Sequence, residues 1–186
     1  MEYPELVDAV IGDISRTLRQ VDPAQVESLG AALLSAERVF IAGKGRSGLQ
    51  MRAFAMRLMH LGLQVHVVDE VTTPAIGAGD LLLIGSSSGR TSSLLAYIDT
   101  VKATDATLAV LTGNPDSPVT AAADAFIYIP ASNFKAGERK GEQSALVMGS
   151  LFEHCLGLIC DLLIIRLKAT LAAAEVEMNA RHANLE

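Results

Sequence analysis

The sequence predicts a three-layer α/β/α domain: a five-stranded parallel sheet covered on both faces, preceded by two helices and closed by a long C-terminal helix. Three observations carry this reading. Five short runs are almost wholly apolar, as strands buried on both faces must be, and helical or turn-rich segments separate them. Two of these runs pass straight into loops of glycine and serine that open helices, the strand, loop, helix unit of parallel sheets. Half of the 186 residues are apolar, which suits one domain with a sizeable core.

In chain order, Val7, Ile11, Ile14 and Leu18 recur at helical spacing over residues 5 to 20, with Asp13, Arg16 and Arg19 expected outward. Asp22-Pro23-Ala24-Gln25 restarts the helix, with Asp22 as N-cap, Pro23 at the first helical position and Gln25 completing a capping box. Val39 to Ala42 is the first strand. It enters Gly43-Lys44-Gly45-Arg46-Ser47-Gly48, after which Leu49, Phe54, Leu58 and Leu61 mark a helix ending at Gly62. Gln64 to Val68 reads as a strand and Asp69 to Asp80 as a connection. Leu81 begins the third strand, LLLIGSSSGRTSS, whose loop leads into a helix carrying Leu94, Leu95, Ile98 and Val101. Thr107 to Thr112 and Phe126 to Pro130 complete the sheet, with the turn-rich Gly113 to Pro118 between them. Residues 131–146 form a long connection of the kind used as lids or binding loops, or a plain surface loop. Met148 to Met178 reads as one helix, apolar on most sides from Leu156 to Leu167, so it is expected to be buried against counterparts in a dimer or tetramer. The chain thus divides into N-terminal helices (1–36), sheet core (37–130), loop (131–146) and C-terminal helix (147–178).

Composition excludes several function classes. With 15 Lys and Arg against 21 Asp and Glu, the net charge is −6, and no basic surplus exists to neutralise a nucleic-acid backbone. Cys155 and Cys160 lie five apart in an apolar helical run, off one another's face, which favours buried thiols over a disulfide or metal pair and fits a reducing cytoplasm. The acidic N-terminus MEYPELVDAV does not resemble a signal peptide, and no stretch reaches the length of a membrane span. A soluble, cytoplasmic protein without membrane or nucleic-acid partners is expected.

The two glycine/serine loops carry the functional signal. A loop at a helix start offers backbone N–H groups and the positive end of the helix dipole to an anion, and Ser86, Ser87, Ser88 and Thr91 add hydroxyl donors. In this second loop no lysine follows the glycine as a nucleotide P-loop requires. A serine-rich turn with an N-cap is the alternative for this second loop taken alone. Ligands of parallel sheets bind at the carboxyl ends of the strands, so the loops converge on one crevice if their strands are near neighbours.

AGKGRSG at 42–48, AFAMRLMHLG at 53–62, TTPAIGAGDLLL at 72–83, SSSGRTSS at 86–93, GNPDSP at 113–118 and EQSALVMGSLFE at 142–153 together resemble the sugar isomerase (SIS) domain family over nearly the whole chain. Within it, the chain looks like members that interconvert 3-hexulose 6-phosphate and fructose 6-phosphate. The resemblance implies a flavodoxin-like parallel sheet, a homotetramer with sites completed near subunit interfaces, a hexulose phosphate substrate, and neither metal nor cofactor. It assigns phosphate binding to Ser47, Ser86, Ser88 and Thr91, with Ser87 between. Arg90 stands where many relatives have glutamate, and Val147 where many have proline.

Moving a carbonyl between C3 and C2 needs a base that carries one proton between neighbouring carbons, through an enediolate whose charge is stabilised. Glu153, matching the family's glutamate in Gly-x-Leu-Phe-Glu, is the candidate base. His60 is the second candidate, to open the cyclic sugar or polarise a carbonyl, or else a core histidine. Lys44, Arg46 and Arg90 are possible charge contacts. His66 reads as structural, and His154 and His182 have no assigned partner. Two other readings stand beside this one: an isomerase of another sugar phosphate, such as arabinose 5-phosphate, and a non-catalytic sugar-phosphate sensor, which would need the loops but not Glu153.

Overall fold

The five apolar runs pair into one all-parallel sheet in the order β2-β1-β3-β4-β5. A computed structural model describes residues 1–131 and 144–185; the connection expected over 131–146 lies, for 132–143, outside the described residues. The strands are β1 (Val39–Gly43), β2 (Val65–Val67), β3 (Leu81–Ser86), β4 (Thr107–Thr112) and β5 (Ala125–Tyr128). The helices are α1 (Tyr3–Arg19), α2 (Pro23–Ser35), α3 (Gly45–Leu61), α4 (Ser92–Ala103), α5 (Pro118–Ala122), α6 (Ser150–Thr170) and α7 (Glu175–Ala180).

Strand alternation sorts the core into two layers. Val39, Ile41, Leu81, Leu83, Ala109 and Leu111 point to the face covered by α2, α3 and α6. Phe40, Ala42, Leu82, Ile84, Leu108 and Val110 point to the face covered by α4 and α5. Every residue of β3 is buried, as the central strand of a parallel sheet must be. At the lower edge, Asp80 accepts from Arg38 Nε at 2.9 Å, Arg38 Nη2 at 2.5 Å and Gly77 N at 2.7 Å. That pair fixes the entry to β3 and explains the aspartate of the TTPAIGAGD segment.

Four sequence expectations change in the folded chain. Asp13, expected outward, is buried at 5% exposure, while Val7 and Ile11 of the presumed apolar stripe are exposed; only Ile14 and Leu18 reach the core. Gln25 does not complete a capping box; Asp22 alone accepts from Ala24 N, and Gln25 Oε1 accepts from Tyr128 N at 2.8 Å, linking α2 to β5. Leu49 is exposed. The long C-terminal helix ends at Thr170, where Ala172 takes φ +50° and a Schellman turn closes through Ala172 N to Ala169 O and Ala173 N to Lys168 O. The turn folds α7 back, so that Ala173 and Met178 rest on the core instead of projecting into solvent. The short α5, not expected from the sequence, begins at the end of the turn-rich segment and is set by Pro118 at its first position and by Ser117, whose side chain accepts from Thr120 N. No helix among the described residues is long and apolar enough to cross a membrane.

Candidate active site

β1 and β3 lie side by side in register, Gly43 beside Gly85. The chain leaves β1 toward β2 on one side and β3 leads toward β4 on the other, so the crevice at their carboxyl ends is the switch point of the sheet. Both glycine/serine loops open there. A cleft of about 170 Å³ is lined by Lys44, Gly45, Arg46 and Ser47 from the first, by Gly85, Ser86, Ser87, Ser88 and Thr91 from the second, and by Met148, Gly149 and Glu153 from the start of α6. Three helix N-termini therefore face one hollow. Their N-cap residues Lys44, Thr91 and Gly149 make no side-chain cap hydrogen bond, in contrast to Asp22 of α2 and Ser117 of α5. Positive helix ends whose first amides are not capped by a side chain create a binding place for an anion such as phosphate.

Close backbone approach shapes the hollow. A Cβ on Gly48 would come 2.6 Å from the Gly43 carbonyl oxygen, so glycine lets α3 start directly against the end of β1. Gly89 adopts φ +59° and leaves no room for a Cβ beside Ser117. The second loop is braced from β4: Gly113 N donates to Ser87 O at 3.1 Å and Asn114 Nδ2 to Ser88 O at 3.2 Å. Ser86 Oγ accepts from Gly89 N at 3.1 Å and Ser88 Oγ from Arg90 N at 3.3 Å. Each of these hydroxyls, its acceptor side engaged, has a proton to donate to a ligand.

Glu153 reaches the cleft from the first turns of α6, its side chain 13% exposed and ion-paired with Arg46 Nε across the hollow. A carboxylate and a guanidinium thus stand within a few ångströms of the phosphate-type loops. Lys44 pairs with Asp69, which also accepts from Tyr97 OH at 3.0 Å. The ammonium holds the Asp69 carboxyl below the usual carboxylate range, the tyrosine adding to it, and the aspartate raises Lys44. Asp69 sits at φ +77°, a left-handed conformation that aspartate tolerates better than most residues. Neither Asp69 nor Tyr97 was legible as a partner of Lys44, because the contact joins three separate segments.

Of the expected site residues, Lys44, Arg46, Ser47, Ser86, Ser87, Ser88, Thr91 and Glu153 come together. Arg90 is exposed and does not line the cleft. His60 does not join them within the chain. Thirteen positions along α3 separate it from Ser47, about 20 Å of helix at ~1.5 Å per residue. It is 2% exposed and stacked on His182 at 5.3 Å, its Nδ1 lies 3.3 Å from Arg57 Nη1, and its carbonyl accepts from Arg181 Nη1 at 3.0 Å. Burial pushes its imidazole below the ordinary histidine value, and Arg57 and His182 push the same way. His182, without an assigned partner in the sequence, and Arg181 thus cap His60. His66 lies against Phe40 at 5.2 Å, as a structural residue, and His154 is exposed. Cys155 and Cys160 are free and buried; burial raises the Cys155 thiol to about 11 and Cys160 further.

The sequence profile of the SIS domain matches residues 32–149, which takes in both loops and the whole sheet. The chain belongs to the SIS domain family. Among SIS relatives, a 3-hexulose-6-phosphate isomerase of Mycobacterium gastri is 44% identical over 174 residues, 94% of this chain and 86% of the relative. A second, from Bacillus subtilis, is 37% identical over 186 residues, the full length of both. A crystal structure of a Methanococcus jannaschii protein, from which a 3-hexulose-6-phosphate isomerase function was inferred, superposes with a TM-score of 0.84 at 33% identity, covering 98% of this chain and 99% of that one.

Proposed function

We propose that this SIS domain is a 3-hexulose-6-phosphate isomerase, interconverting 3-hexulose 6-phosphate and fructose 6-phosphate. The observation that carries the reading is a single carboxylate, Glu153, held beside a cationic Arg46 at the mouth of an anion-binding cleft. The names of full-length relatives support the same substrate pair. The phosphate rests on Ser47, Ser86, Ser87, Ser88 and Thr91 and on the amides of α3 and α4. Glu153 takes the C3 proton of fructose 6-phosphate and the C2 carbonyl oxygen becomes the enediolate oxygen; the C3 hydroxyl then passes its proton to that oxygen, and Glu153, its proton exchangeable with solvent, protonates C2, leaving the carbonyl at C3 and the hydroxyl at C2. Arg46 stabilises the enediolate charge, and the reaction needs neither metal nor cofactor. A sensor would require the loops but no base placed against them, so Glu153 separates the two readings. A role for His60 in this chemistry requires the cleft of a neighbouring copy, because its own chain keeps it at the far end of α3. A homotetramer or dimer is supported by apolar residues left exposed along α1 (Leu6, Val7, Ile11) and α6 (Leu158, Leu162, Ile165). A cytoplasmic location fits the free thiols.

The test is fructose 6-phosphate in deuterated buffer, with EDTA present, followed by NMR. Conversion to the 3-hexulose with deuterium entering at C2 or C3 is expected, and arabinose 5-phosphate should remain unchanged. Glu153→Gln should lower kcat by about 10²- to 10⁴-fold with KM within a few-fold, since the loops hold the anion. Full activity in that variant places the base elsewhere, and no turnover of any hexulose phosphate by the parent rejects the assignment.

A further inference from the structure

We infer that Asp13, on α1 and outside the cleft, is a positioning residue that sets the first turn of α6 and thereby the aim of Glu153. The kinetic part of this inference rests on the isomerase reading above; the structural part does not. A carboxylate at 5% exposure is costly to bury unless donors satisfy its oxygens. Asp13 has them. Its Oδ2 accepts from Ser144 Oγ at 2.7 Å and from Ala145 N at 2.8 Å, and its Oδ1 accepts from Arg16 Nη2 at 2.5 Å. Ser144 Oγ in turn accepts from Leu146 N at 3.0 Å. Burial alone would raise the Asp13 carboxyl, but these donors and Arg16 hold it below its ordinary value, so the clamp is a charged one at neutral pH.

What the clamp holds is the run into the cleft. One carboxylate pins 144–146, and the chain then passes through Met148 at φ +54° and Gly149 at φ +83°, with Ser150 N bonded to Val147 O at 3.0 Å. A left-handed methionine costs about 1–2 kcal/mol and persists only where its flanks are fixed. On the far flank Leu151 and Phe152 are buried in the core; on the near flank Asp13 is the anchor. Met148, Gly149 and Glu153 all line the cleft. A slackened turn would therefore move the base rather than the phosphate loops. A misplacement of about 1 Å costs a well-aligned catalyst on the order of 10²-fold.

Asp13→Asn keeps the size but puts an amide nitrogen where an oxygen must accept, so Ser144, Ala145 and Arg16 cannot all be satisfied. The expected result is a kcat lowered about tenfold with KM for fructose 6-phosphate within twofold. Hydrogen exchange should quicken at the amides of 146–153 and stay unchanged at 86–91. Leu18→Ala, on the same helix and packed against the same core, serves as the control: at matched loss of stability it should leave kcat unchanged. Should Asp13→Asn fail to fold, Ser144→Ala removes one donor and spares the aspartate, with a loss of about threefold in kcat expected. Unchanged exchange at 146–153, kcat within twofold of the parent, or an equal kcat loss in Leu18→Ala overturns the inference. If the parent itself does not isomerise, the functional reading falls, while the exchange measurement still decides the clamp.

Discussion

Gly89→Ala is the sharpest test of how the second glycine/serine loop is built. Gly89 sits at φ +59°, and a Cβ there would lie inside 3.0 Å of both Cβ and Oγ of Ser117. The left-handed conformation costs alanine about 1 kcal/mol over glycine. The steric part adds about 1–3 kcal/mol, because rotating Ser117 Oγ away leaves its Cβ in place and the loop itself must shift. Rotation also breaks the Ser117 to Thr120 hydrogen bonds at 2.7 Å and 3.3 Å that cap α5. A total of about 2–4 kcal/mol is expected from urea unfolding. The second half of the test is Ser117→Gly in the same chain. It removes both obstructing atoms, and glycine at an N-cap costs only about a few tenths of a kcal/mol relative to serine. The double variant should therefore recover about 1–2 kcal/mol relative to Gly89→Ala, a coupling that independent sites do not show. Kinetically, Gly89→Ala should raise KM for fructose 6-phosphate more than it lowers kcat, because Glu153 is on α6 and the loop is not. A loss below about 0.5 kcal/mol, or strict additivity of the two changes, refutes the packing argument.

Acid stability should trace to Asp80. Arg38 holds its carboxyl below the ordinary 3.8, burial opposing, so this contribution is fully present above that value and is lost as pH falls from there through the lowered folded-state value. Asp80→Asn should cost about 2–3 kcal/mol in urea unfolding at pH 7 and flatten the parent's decline below pH 4; an unchanged acid limb counts against the pair. His60 acts higher on the scale. Its imidazole is depressed below 6.5 by burial, so stability is complete above that pH and falls as pH drops below it. His60→Gln should reduce the loss of Tm between pH 7.5 and pH 5.5, and identical losses in the two proteins would remove His60 as the cause.

Much of the fold was legible because its signals are local. Apolar runs of buried strands, glycine at the end of α3 and proline at the start of α2 act over a few residues. The two phosphate-type loops were legible for the same reason: a Gly/Ser loop opening a helix is a local anion trap. The break between α6 and α7 was not, because alanine rather than glycine takes the left-handed cap at Ala172, and tertiary packing of Ala173 and Met178 on the core accompanies it. His60 shows the other limit: its residue type left it open as a second catalytic group or a core histidine, and the fold shows it stacked on His182 and held at the far end of α3 from the cleft.

By itself, the sequence determined most of the elements, the parallel sheet and the hydroxylated residues that line its two glycine/serine loops: Ser47, Ser86, Ser87, Ser88 and Thr91. Tertiary structure alone decided which charges meet. Arg46 and Glu153 are 107 positions apart, and Asp13 and Ser144 are 131 apart. Pairings at such separation depend on strand order and helix packing, which are set by the summed burial of the whole core and not by any segment's own pattern.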